Sequence, residues 1–213
     1  MRLDHVSYVA THDQISDVVQ RIGSQIGTAF IDGGIHPRFG TRNFTAPLKN
    51  DQYVEIVCAL DHPAAEQTSF GQAVSKKAAE GGGWLTWVFA VESIEPYEQG
   101  IGRTSISGHR HRPDGSELNW KQIGVKELLT EPELPFFIQW EGGNHPSKEG
   151  KPVATIQEIE FANSNPLTKS SFSDEVSTAL SSSSISIKVT EEEFDSGITS
   201  VVFVVNGIAV RVN

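Results

Sequence analysis

A chain of 213 residues with 38% hydrophobic and 21% charged residues has an ordinary soluble composition and enough length for one large domain or several small units. Its formal charge of −10 argues against nucleic acid and anionic membranes as partners, since either would repel the whole molecule. The single cysteine, Cys58, excludes an intramolecular disulfide and a thiolate zinc cluster, so any metal would be held by His, Asp or Glu.

No apolar run approaches the roughly 20 residues of a membrane span. The N-terminus goes straight into the strand-like LDHVSYVA, without a charged leader and cleavage site, which makes the cytoplasm the expected location. Leu3 to Ala10 alternates, with Val6, Tyr8 and Ala10 on one face and Leu3, His5, Ser7 and Val9 on the other. Thr11 to Gln14 has capping-box spacing, and Ile15, Val18, Val19, Ile22 and Ile26 recur at helical intervals up to Gly27. A glycine-rich loop follows, then a short strand near Asn43 to Pro47, a turn at Lys49 to Asp51 and a strand at Tyr53 to Ala59. The order is β-α-β-β-β.

Asp61 to Glu80 reads as a helical connector that opens near Pro63 and stops at Gly81-Gly82-Gly83. The pattern then restarts with a strand at Trp84 to Glu92, a short helix or turn at Ile94 to Gly100 and an extended segment at Arg103 to Arg112. A turn at Pro113-Asp114-Gly115 and strands at Glu117 to Ile123 and Pro135 to Glu141 complete the second copy. A third copy opens at Thr155 to Phe161, with a helix at Phe172 to Leu180 and a closing hairpin at Asn206-Gly207. The expected division is a first βαβββ module at 1–60, a helical connector at 61–83, a second module at 84–150 and a C-terminal βαβββ-like module at 155–213. No copy is large enough to bury its hydrophobic face alone. The third has eight acidic residues against three basic ones and no chemical constellation, so its expected role is packing or association, a homodimer included.

Basic groups form two islands in this acidic chain: Arg38 and Arg42 around His36, and Arg103, His109, Arg110, His111 and Arg112. Such islands suit a small anionic ligand, because Arg grips carboxylate or phosphate with a bidentate fork. The plainer reading of each Arg is a solvated loop charge.

The segments LDHV, GGIHPRFGTRN, YVEIV, RHRPDGSELNW and LPFFIQW resemble the vicinal oxygen chelate superfamily, and within it the glyoxalase-like domain branch, over about Leu3 to His145. The resemblance implies an α+β fold in which tandem βαβββ modules form a curved mixed sheet; the third module, read from the repeat pattern, is expected to pack alongside it or to make a dimer contact. It also implies a divalent metal (Zn, Ni, Mn or Fe) held inside the cup. The positions carried over are His5 and Glu55 from the first module, and Thr86 and Gln139 from the second.

Three readings stay open. In one, His5, Glu55 and Gln139 hold the metal, with His36 or substrate oxygens completing the set and Glu55 available as catalytic base, which would make the protein a lyase, isomerase or dioxygenase of this superfamily. In the second there is no metal and the cup binds a small oxygen-rich anionic metabolite. Arg42, Arg110 and Arg112 would then grip its charged end, with His36, Asn43 and Gln139 as further contacts and Trp87, Trp120, Phe137 or Trp140 stacking on its body. In the third, His5 and Glu55 are a buried hydrogen-bonded pair that orders the sheet. His145 is expected near the cup rim.

Overall fold

The computed structural model describes residues 1–192 and 196–213. Its first module is β1 (Arg2–Val9), α1 (Ile15–Ile26), β2 (Ile31–His36), β3 (Thr41–Pro47) and β4 (Tyr53–Ala59). After α2 (Pro63–Gln67) and α3 (Ser69–Ala79), the second module repeats the order with β5 (Gly83–Ala90), α4 (Glu95–Ile101), β6 (Ile106–His111), β7 (Glu117–Ile123) and β8 (Phe136–Gly142). The C-terminal part is β9 (Thr155–Ala162), α5 (Pro166–Lys169), α6 (Ser173–Ser182), β10 (Ser186–Thr190), β11 (Gly197–Val205) and β12 (Ile208–Val212). This is an α+β protein of tandem βαβββ modules.

The curved sheet closes on itself. Its strand order is β1-β4-β3-β2-β6-β7-β8-β5, a barrel in which β1–β4 and β5–β8 pair in parallel and the other neighbours antiparallel. One seam is the long antiparallel pairing of β1 with β5. The other, between β2 and β6, rests on Ile35 opposite His111. Gly34 makes that approach possible: its φ is +95°, and a Cβ there would lie 1.8 Å from the His111 carbonyl oxygen.

Two hydrophobic clusters follow from the alternation. Outside the barrel, the face of β1 and β5 carrying Val6, Tyr8, Trp84, Trp87 and Phe89 packs on the C-terminal sheet, which has the order β10-β9-β11-β12. Trp87 meets Phe161 at 5.2 Å between ring centroids, and Trp84 meets Phe203 at 6.2 Å while its Nε1 donates to the Val212 carbonyl. Inside the barrel, Val9, Val57, Val88, Trp120, Phe136 and Ile138 meet Phe70, Ala73 and Val74 of α3, which packs across one end.

Local chemistry modifies several expectations. The capping box at Thr11 does not form. A backbone turn from Gln14 to Thr11 comes first, and α1 starts one residue later with no side-chain cap. The left-handed Gly27 ends α1 as its sequence suggests. The connector is two helices because Thr68 leaves the helical region and caps α3, its Oγ1 accepting from Gly71 N. Asn206 and Gly207 both take positive φ and form the tight hairpin between β11 and β12.

Candidate functional site

Every second residue of a barrel strand faces inward, and that rule collects the polar interior. His5 and Ser7 come from β1, His36 from β2, Asn43 from β3, Tyr53 and Glu55 from β4, Arg110 from β6, and Trp120 and Gln122 from β7. Apart from Ser7, these line a cavity of about 30 Å³ together with Phe39, Phe70, Leu118, Phe136, Ile138 and Trp140. A space of that size holds about two waters, or one small polar group.

A buried polar chain runs across the cavity wall. Glu55 is 5% exposed, and both of its oxygens accept: Oε2 from Ser7 Oγ at 2.6 Å and Oε1 from Asn43 Nδ2 at 2.7 Å. Burial pushes its pKa upward, but the charges of His5 and His36 and these two hydrogen bonds outweigh burial and hold the carboxyl below its ordinary range. On its other side Asn43 accepts a long hydrogen bond from Arg110 Nη1, at 3.4 Å. The amide therefore stands between a buried cation and a buried anion. Arg110 is only 2% exposed, and its Nε and Nη2 find no hydrogen-bond partner among the described residues. Gly33 is part of this arrangement, because a Cβ there would lie 2.1 Å from Asn43 Oδ1 and 2.8 Å from Arg110 Nη1.

His5 is stacked on Tyr53 at 4.4 Å and bonded through Nδ1 to Asp4 Oδ2 at 3.0 Å. Adjacent strand residues normally point to opposite faces, and a register shift between Leu3 and His5 in the β1–β5 pairing breaks that rule. Asp4, fully buried, gathers His5, His145 Nε2 at 3.0 Å and Arg2 at 2.5 Å. Burial would raise its pKa, yet the hydrogen bonds from His145 and His5 and the charges of His5 and Arg2 hold it well below the carboxylate range.

His36 is 4% exposed, with Nδ1 2.9 Å from Thr41 Oγ1, and burial lowers its pKa to about 4. The unfolded chain binds a proton at this position near pH 6.5 and the folded chain only near pH 4. Stability from a neutral His36 is therefore full above about pH 6.5 and lost as the pH falls toward 4. Between pH 7 and pH 5 the loss is about 2 kcal/mol. Urea unfolding of His36→Gln should show an acid limb shallower by that amount, and parallel limbs in variant and parent would refute this assignment.

Other expected site residues lie elsewhere. Arg42 neighbours Asn43 on β3 and so takes the outer face, where it pairs with Asp32 at 2.9 Å and covers the Phe44 ring. Arg112 pairs with Glu149 and donates to the Asn144 carbonyl. Gln139 lies between the inward Ile138 and Trp140, and its Oε1 accepts from Ile94 N at 2.8 Å. Trp87 and Phe137 belong to the outer cluster, whereas Trp120 and Trp140 line the cavity. No direct hydrogen bond joins His5 to Glu55, because each has other partners.

The metal set implied by the resemblance is not assembled. His5 pairs with Val88, and Ser7 reciprocally with Thr86, which makes Thr86 the counterpart of His5 and Val88 that of Ser7. In both modules the first strand meets the last at an offset of 48, Ser7 with Glu55 and Val88 with Phe136. The counterpart of Glu55 is therefore Phe136, which has no donor atom. Among the described residues no group of three or more His, Cys, Asp or Glu side chains could hold a metal ion, and both Glu55 oxygens are already engaged.

Sequence alternation could have drawn in Ser7 and Tyr53, two residues from His5 and Glu55. Asp4 carries no such signal, since the register shift that turns it inward is invisible in the sequence.

Among curated proteins, none matches this sequence. Solved structures to which the chain is similar include methylmalonyl-CoA epimerase from Mycobacterium tuberculosis, at 12% identity and a TM-score of 0.44, covering 67% of this chain and 89% of that one. A variant of Streptomyces coelicolor methylmalonyl-CoA epimerase in complex with 2-nitronate-propionyl-CoA is 15% identical, with a TM-score of 0.45 over 67% of this chain and 99% of that one. Likeness at this level carries no argument about ligand or activity. Residues 3–176 match the glyoxalase-like domain family, most of the length of this chain. With its paired βαβββ modules and inward-facing polar wall, the chain belongs to the glyoxalase-like domain family of the vicinal oxygen chelate superfamily.

Proposed function

We propose that the barrel interior binds a small oxygen-rich metabolite through its carboxylate, with Arg110 as the anchor. The observation that carries this is the state of Arg110: a guanidinium 2% exposed, lining the cavity, with two nitrogens that find no hydrogen-bond partner among the described residues. A buried charge without full partners is costly, and most buried polar groups in proteins are matched. Asn43 bridges Arg110 and Glu55, accepting from the one and donating to the other. A ligand carboxylate would supply the missing acceptors in bidentate geometry. Phe39, Phe70, Leu118 and Phe136 would enclose the first atoms beyond the carboxylate, and Trp120 and His36 meet edge to face beside them.

Thermal melting with millimolar small hydroxy- and oxo-acids, beside their uncharged amides, tests this reading. A ligand at 100 times its Kd stabilises the fold by about 2.7 kcal/mol. Acids should raise the Tm and amides should not. Equal shifts for acids and amides, or no shift with any acid, would defeat the proposal. A metal-assisted reaction at the same wall has no observation in its favour here, because the second module contributes Phe136 where a ligand would be needed.

A further inference from the structure

The cavity around Arg110 is too small for more than a carboxylate and the first atoms beyond it. A second cavity of about 330 Å³ lies against it, and the two share Phe39, Phe70 and Gln122 in their walls. The Phe39 and Phe70 rings meet at 5.9 Å between centroids, so two side chains and one amide separate the chambers. Gln122 is 5% exposed; its Oε1 accepts from Trp120 Nε1 at 2.7 Å, and its Nε2 donates to no described residue.

The charged residues lining the outer chamber are Arg38, Arg103 and Lys126, all cationic, in a chain with 27 acidic and 17 basic residues. Arg103 is engaged with Glu127 at 2.5 Å. Arg38 and Lys126 are exposed and make no ion pair among the described residues. The first turn of α3, Ser69 and Phe70, lies in the same wall and adds the positive end of a helix. Clefts lined by charge of one sign concentrate ligands of the other.

We propose that the ligand is an elongated dianion: its carboxylate sits on Arg110, its chain passes Gln122 and the Phe39–Phe70 pair, and a second anionic group lies between Arg38 and Lys126. This rests on the barrel reading above and adds the ligand's length and second charge. Specificity then comes from both chambers, the inner one selecting a compact head and the outer one a distal anion. The two aromatic rings select a slender, unbranched connection.

Isothermal titration with α,ω-dicarboxylates of increasing length, beside monocarboxylates of matched length, tests the proposal. At the length that spans both chambers, the dicarboxylate should bind about tenfold tighter than its monocarboxylate. The exposed double variant Arg38→Ala/Lys126→Ala, checked for native melting without ligand, should return that dicarboxylate to the monocarboxylate's affinity. If monocarboxylates bind but no dicarboxylate exceeds them, or the gain survives the double variant, the dianion inference falls and the barrel reading stands. If neither series binds, both fall together.

Discussion

Arg110→Met abolishes ligand-induced stabilisation by small carboxylates and weakens their binding by at least about 100-fold, as expected when one member of a buried, hydrogen-bonded charge pair is truncated. The side chain is of similar length and keeps the wall filled. Without ligand the variant stays folded. Glu55 retains its hydrogen bonds from Ser7 and Asn43, and the desolvation cost of Arg110 largely offsets its attraction to Glu55. The change in stability should therefore stay within about 2 kcal/mol. Arg110→Lys separates charge from geometry, because lysine keeps the charge but not the planar fork. It should recover part of the affinity. Calorimetric titration of parent and both variants measures this, and full affinity in Arg110→Met would remove the anchor from the account.

Gly34→Ala has the largest expected effect on the fold. The new methyl would meet three backbone atoms of β6 and the residue after it: the His111 carbonyl oxygen at 1.8 Å, its carbon at 2.8 Å and Arg112 Cα at 3.0 Å. Backbone cannot swing aside as a side-chain tip can, and the φ of +95° is itself unfavourable for alanine. The strands must part where Ile35 and His111 form their pairing. A loss of about 3–5 kcal/mol, and a fall in Tm of about 10 °C, follows. Because Arg110 precedes His111 on β6, carboxylate binding should weaken too. A Tm within about 2 °C of the parent would mean that the β2–β6 seam is not closed as described.

Much of this architecture was legible because period-2 alternation and turn chemistry are local properties. The βαβββ order, the Gly27 stop and the Asn206-Gly207 hairpin all follow from them. The polar interior was partly legible for the same reason: His5, His36, Asn43, Glu55, Arg110 and Trp120 were expected at the site and line one cavity. What the sequence hid was phase. Matching QYVEIV to FFIQWE puts Gln139 opposite Glu55, whereas the shared offset of 48 makes Phe136 the counterpart and turns Gln139 to the outer face. A three-residue error exchanges the faces of a strand. The same parity separates Arg42 from Asn43, and it sets Arg110 apart from its exposed neighbour His111. Asp4 was hidden for the opposite reason: strict alternation sends it away from His5, and the register shift brings it back. The closure of the cup into a barrel depends on the Gly34 approach to β6, a contact between distant segments that no local pattern encodes.

The most direct measurement is a crystal structure of the protein grown with a small oxygen-rich carboxylate such as pyruvate. The carboxylate should lie in the barrel within hydrogen-bond distance of Arg110 Nε and Nη2, with Asn43 still between Arg110 and Glu55. Arg110 paired directly with Glu55, or a carboxylate bound only on the outer surface, would contradict the account.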